Sequence, residues 1–164
     1  MLHNFNAGPS ILPPSVFSGA ADAIRDFNGT GLSILEIGHR TALFEPVMDE
    51  ARALIRELMQ LNDDQEVLFL HGGASTQFMQ IPMNLLPANG KAAYTDTGTW
   101  SAKAIKEANL YGTVEIAGSS KEAHYRSIPK TLDIDPEAAY LHLTTNETVH
   151  GVQWQQLPME LDLP

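Results

Sequence analysis

Val67-Leu68-Phe69-Leu70-His71-Gly72-Gly73-Ala74-Ser75-Thr76-Gln77-Phe78-Met79-Gln80 joins an apolar run to a pair of glycines and then to small polar residues. The apolar run Val67–Leu70 is too short for a helix and suits a strand covered on both faces. Gly72 and Gly73 permit a tight turn and a close backbone approach to a ligand. Ser75 and Thr76 are expected to cap the helix that follows. Free N–H groups and the positive end of the helix dipole would then converge above Gly73 and Ala74, where a phosphate is stabilised. The same residues also fit an ordinary strand-to-helix turn with Ser75 as a plain N-cap. No Gly-x-Gly-x-x-Gly is present and no Lys-Ser or Lys-Thr follows the glycines, which disfavours nucleotide binding.

Downstream of this stretch, strands and helices alternate. Strands are expected over 66–71, 91–95, 112–117 and 139–144, with helices over 75–86 and 99–110. Such alternation predicts an α/β protein with a largely parallel sheet. Upstream, Val16, Ala20, Ala23, Ile24 and Phe27 mark a helix over 15–27, stopped by Asn28-Gly29-Thr30-Gly31. Val47, Ala51, Leu54, Ile55 and Leu58 mark a second over 44–61, with Glu50, Arg52, Arg56 and Glu57 on its other faces. Gly8, Pro9, Pro13 and Pro14 make residues 1–14 an extended arm, with residues 15–164 as the body.

At 164 residues and 43% hydrophobic content the chain has the size of one domain. A net charge of −10, from 20 acidic against 10 basic residues, works against nucleic-acid binding, which is built on clustered Lys and Arg. The absence of cysteine excludes a disulfide framework and thiolate metal sites and makes a reducing cytoplasm the expected compartment. No metal site is expected. No run approaches the ~20 apolar residues of a membrane span, and the start has no leader pattern.

In parallel sheets of this kind ligands bind beyond the carboxyl ends of the strands. That singles out three loops: His71 to Thr76, Asp96 to Trp100, and Thr144 to Gly151. Trp100 stands where a strand gives way to a helix, so its ring is placed either over a flat ligand or in the core. The third loop, Asn146-Glu147-Thr148-Val149-His150-Gly151, gathers amide, carboxylate, hydroxyl and imidazole after a buried strand. Turn chemistry alone also accommodates its Asn and Thr. Near the start, His39-Arg40 presents two adjacent donors for an acidic substrate, or an ordinary surface Arg beside a capping His.

Taken in order, Asn6-Ala-Gly-Pro, Gly38-His-Arg, His71-Gly-Gly-Ala-Ser-Thr-Gln-Phe, Thr97-Gly-Thr-Trp and Asn146-Glu-Thr-Val-His-Gly closely resemble the phosphoserine aminotransferase family over nearly the whole chain. The resemblance implies the aspartate-aminotransferase-like fold of the class V, fold-type I enzymes that use pyridoxal 5′-phosphate. It implies amino transfer between glutamate and 3-phosphohydroxypyruvate, giving 3-phosphoserine and 2-oxoglutarate, in a homodimer. By that resemblance Ala74 and Ser75 hold the cofactor phosphate, Trp100 stacks on the pyridine ring, and Thr148 bonds near the ring's oxygen substituent. Arg40, with His39 beside it, takes the substrate carboxylate or phosphate. Glu147 and His150 are read as shaping their loop. The competing readings are another class V enzyme, of the alanine–glyoxylate aminotransferase or cysteine desulfurase kind, and a non-catalytic module.

The family's catalytic lysine has no counterpart among Lys91, Lys103, Lys106, Lys121 and Lys130. It is expected beyond Pro164, after an aspartate that pairs with the pyridine nitrogen. The chain is therefore expected to be the N-terminal part of the large domain, truncated after about four strands and inactive alone. An open sheet of that kind calls for a second polypeptide or an oligomer to cover its strand edges.

Overall fold

The computed structural model describes residues 2–158 and 163–164. It has two compact units, Met1–Phe69 and Leu70–Pro164. In the first, residues 2–13 carry no helix or strand. Helix α1 (Pro14–Arg25) starts on a proline, whose fixed φ suits a first helical turn. Two short 3-10 turns follow, at Phe27–Gly29 and Ile34–Glu36. The second is held by a reciprocal cap, in which Leu35 N–H donates to Ser33 Oγ at 3.2 Å and Ser33 N–H to Glu36 Oε2 at 2.8 Å. Helix α2 (Glu45–Met59) ends at Gln60, whose φ of 53° breaks the helical path. Arg56 closes that end, because its guanidinium donates to the carbonyls of Asn62 and Gln65. Both amphipathic helices thus form where the periodicity places them.

The second unit holds helix α3 (Gly73–Leu85), strand β1 (Lys91–Asp96), helix α4 (Thr99–Ala108), strand β2 (Thr113–Ser119) and strands β3 (Leu141–His142), β4 (Asn146–Glu147) and β5 (Val152–Gln153). Strands β1, β2 and β3 make a parallel sheet in the order β2-β1-β3. Ladder bonds from Ala139 N–H to Lys91 O and from Ala93 N–H to Tyr140 O extend the β3 pairing upstream, so the expected strand over 139–144 is paired only in its first part. Strands β4 and β5 form a separate antiparallel hairpin.

Side-chain alternation along β1 divides the interior. Ala92 and Tyr94 face helices α3 and α4, packing with Ala104, Ala108, Phe78 and Ile81. Ala93 faces the other way, onto Ala117 of β2 and onto Leu132, Ile134 and Ala138 from the irregular connection between β2 and β3. Helices therefore cover one face of the sheet and extended chain the other. The alanines let α4 lie close to β1, and the space left is filled by Tyr94 and Tyr140, whose hydroxyls bond each other at 2.9 Å. At the entry to β1 the Lys91 ammonium binds Asp135 and Glu137, which raises the Lys91 pKa and lowers that of Asp135.

Two expectations fail in the His71 region. Residues 66–71 form no strand: none of the described backbone hydrogen bonds reaches them, and without a neighbouring ladder an extended segment is not a strand. Leu68 and Leu70 are 73% and 55% exposed, in contrast to the two-sided cover that the apolar run predicts. Nor do Ser75 and Thr76 cap α3. The helix begins two residues before Ser75, with Gly72 at the N-cap and no side-chain cap. Thr76 lies inside the first turn, where its hydroxyl donates back to the Gly72 carbonyl at 2.9 Å. Gly72 has φ +95°, and a Cβ there would fall 2.0 Å from Thr76 Oγ1, so the turn needs glycine twice over.

Candidate functional site

The carboxyl ends of β1 and β3 and the start of α3 surround one cavity of about 380 Å³. Its lining includes Ala74, Ser75, Phe78, Trp100, His142, Thr144 and Thr148. That volume is ordinary for a small-molecule or cofactor site, which runs from about 300 to 1,000 Å³. Four of the residues singled out in the sequence, Ala74, Ser75, Trp100 and Thr148, are thereby brought to one place from three separate loops. His39 and Arg40 lie in the first unit, exposed, in the turn between the second 3-10 segment and α2.

Each member is held by a distinct device. Ala74 and Ser75 occupy the first turn of α3, where backbone N–H groups have no intrahelical partner and no side-chain cap. They offer donors and a positive dipole end to an anion. Trp100 is in the first turn of α4. Its indole Nε1–H donates to Thr148 Oγ1 at 2.7 Å, which joins the second predicted loop to the third. The Lys103 ammonium lies 4.5 Å from the centre of the Trp100 ring, a cation–π contact from the next turn of α4.

The start of α4 is closed by Ser101 and Glu147. Ser101 Oγ accepts from the N–H groups of Thr97 and Gly98 at 2.8 and 2.9 Å. Glu147 accepts from Trp100 N–H at 2.9 Å through Oε2 and from Ser101 N–H at 2.7 Å through Oε1. This carboxylate is 0% exposed. His150 Nε2 pairs with Thr99 Oγ1 at 3.1 Å, and its ring packs against Tyr125. Both residues of the third loop therefore contact the neighbouring loop and helix rather than the cavity.

The floor carries two polar groups without partners. Thr144 Oγ1 and His142 Nδ1 are buried and make no hydrogen bond among the described residues. Buried polar atoms are normally satisfied; Thr95, Thr97, Ser120 and Trp154 carry further unpartnered atoms outside this lining, so His142 and Thr144 are singled out by their place beside the cavity. His142 stacks on Tyr94, ring centres 4.6 Å apart, and burial lowers its pKa. The sequence signal for these residues is the period of two along Tyr140-Leu141-His142-Leu143-Thr144, which puts His142 and Thr144 on the face of the buried Tyr140.

An anion-binding helix start, an aromatic plate fixed edge-on by a hydroxyl, and unpaired polar atoms on the floor suit a flat, phosphorylated, polar-substituted ligand. Comparison with known proteins agrees. Residues 2–160 match the aminotransferase class-V family. The phosphoserine aminotransferase of Flavobacterium johnsoniae is 54% identical over 157 residues, covering 95% of this chain and 44% of that protein. A solved phosphoserine aminotransferase, studied for radiation damage of its Schiff base, superposes with a TM-score of 0.95 at 43% identity, over 100% of this chain and 46% of the other. The PLP-bound phosphoserine aminotransferase of Trichomonas vaginalis gives 0.89 at 31% identity, over 100% and 47%. The chain thus spans a little under half the length of the relatives it matches, and it belongs to the class-V aminotransferase family.

Proposed function

We propose that this chain carries cofactor-binding and substrate-binding residues of a phosphoserine aminotransferase, which moves an amino group between glutamate and 3-phosphohydroxypyruvate. Its products are 3-phosphoserine and 2-oxoglutarate. The observation that carries this reading is the bond from the Trp100 indole to Thr148 in the lining of a cavity that also takes in the uncapped start of α3. The relatives' printed name, phosphoserine aminotransferase, supports amino transfer involving phosphoserine, and the substrate pair follows from the family resemblance.

Pyridoxal 5′-phosphate, when bound, supplies the electron sink that amino transfer requires. This chain's residues hold and orient it. The N–H groups at Ala74 and Ser75 take the phosphate, Trp100 offers its face to the ring, and Thr148, already tied to the indole, is placed beside a ring substituent. Thr144 and His142 are the unpaired groups left to meet the remaining polar atoms. His39 and Arg40 are proposed to take the anionic groups of the two substrates, since a guanidinium grips a carboxylate or phosphate in two places. The cavity lining includes no lysine among the described residues. On its own the chain is therefore proposed to bind without turnover, with a second polypeptide supplying the lysine and the complete enzyme forming a homodimer. A cytoplasmic location is proposed with this reaction; no described helix is long and apolar enough to cross a membrane.

The test uses the complete enzyme, in which this chain is joined by the polypeptide that supplies the lysine. 2-Oxoglutarate should form from glutamate and 3-phosphohydroxypyruvate only when pyridoxal phosphate is supplied. Arg40→Ala should raise the substrate KM more than it weakens cofactor binding, and Trp100→Ala should do the reverse. Equal effects of the two substitutions, or preferred transfer to an unphosphorylated keto acid, would overturn the assignment.

A further inference from the structure

Glu147 does not line the cavity, and its carboxylate is wholly buried. Removing a charge from water costs several kcal/mol unless geometry compensates. Compensation comes from the two N–H donors of Trp100 and Ser101 at the positive end of α4. A local Ser, Asp or Asn at the N-cap would serve that helix start at much lower cost. The cap here instead comes from a residue 46 to 47 positions away in the chain, immediately before Thr148.

Adjacent residues consequently hold Trp100 at both ends: Glu147 takes its backbone N–H and Thr148 its indole N–H. The seat for the carboxylate is Gly98. A Cβ at Gly98 would lie 2.5 Å from Glu147 Cδ and 2.6 Å from Oε2. Its φ of 163° is extended backbone open to any residue, so space rather than conformation requires the glycine.

We propose that Glu147 is a positioning residue of the cofactor site. Seated against Gly98, its carboxylate fixes the start of α4 so that Trp100 and Thr148 present a preformed surface to the flat ring of the cofactor. This inference rests on the proposed cofactor for its consequence, but not for its geometry.

The experiment reads the two separately. The assembled, cofactor-free protein is labelled with 5-fluorotryptophan, and its fluorine NMR signals are assigned by their loss in Trp100→Phe and Trp154→Phe. Glu147→Gln keeps the side-chain volume but turns one acceptor into an N–H group facing a backbone N–H. The Trp100 signal should shift or broaden while that of Trp154 stays, and the dissociation constant for pyridoxal phosphate should rise by about tenfold or more, the loss expected for a charge-assisted hydrogen bond. Gly98→Ala, which crowds the same carboxylate from the opposite side, should reproduce both effects. An unmoved Trp100 signal overturns the proposal. So does equal movement of both tryptophans, or failure of both variants to fold, since each assigns Glu147 to general support of the fold. If the unsubstituted protein binds no pyridoxal phosphate, the cofactor reading fails while the fluorine signals still judge the clamp.

Discussion

In the unit of residues 70–164, Ala92, Tyr94, Ala104 and Ala108 have no exposed surface. In the unit of residues 2–69, α1 and α2 contain no buried residue, and Leu58 and Met59 stand 80% and 67% exposed. Both units obey the same local rules of helix start, stop and amphipathic spacing. Only the second has a sheet, which gives its helices a broad apolar surface to cover. Periodicity decides that a helix forms and which face is apolar; burial of that face depends on a partner surface that no local rule supplies.

The strongest test of this contrast replaces one large apolar residue in each unit. Tyr94→Ala removes a fully buried ring and its bond to Tyr140, and should cost about 3–5 kcal/mol in denaturant unfolding. Leu58→Ala, on an exposed position, should change stability by no more than about 0.5 kcal/mol. A cost for Leu58→Ala comparable to that for Tyr94→Ala would show that the α2 face is covered in the assembled protein.

The turn before α3 gives the next largest effect. Gly72→Ala forces an L side chain into positive φ and drives its Cβ into Thr76 Oγ1. A loss of about 1–3 kcal/mol is expected for such a strained backbone, together with weaker binding of inorganic phosphate at the α3 start. Gly72→Ala with unchanged phosphate binding would remove the turn from the site.

Legibility in the sequence differs along the same lines. The helices, the parallel β1 and β2 and the three loops that meet at the cavity follow from spacing and turn chemistry. The 66–71 segment does not, because an apolar run specifies a wish for cover, whereas a strand exists only where another backbone accepts its hydrogen bonds. Trp100 and Thr148 stand out as residue types in loops, but the bond between them joins positions 48 apart in the chain. Glu147 is the least readable. The sequence reads it only as shaping its loop; the buried cap it makes on the open N–H groups of α4, seated against Gly98, joins positions 46 and 47 apart in the chain.

The interior of the second unit should also respond to pH through His142. Burial lowers its folded pKa below the ordinary value of 6.5. Above that value neither the folded nor the unfolded chain carries the proton, and stability is unaffected. As pH falls below it, the unfolded chain takes up the proton first, so stability declines until the lower folded pKa is passed. Chemical unfolding followed from about pH 8 to about pH 5 should show this decline, and His142→Phe, which keeps a ring against Tyr94, should flatten it. An equal slope in both proteins would assign the decline to other groups.

The smallest effect belongs to the first unit and has the opposite sign. Gly19 lies within α1, and a Cβ there meets nothing within 4 Å. Replacing it by alanine narrows the unfolded chain's freedom without displacing any neighbour, so Gly19→Ala should stabilise the protein by about 0.5–1 kcal/mol. Open space around Gly19 in this chain predicts a gain; a loss would mean that a neighbouring surface in the assembled protein sits against α1 closely enough to exclude a methyl group. The sign of one small substitution therefore reports whether the face that periodicity makes apolar is also a face that something covers.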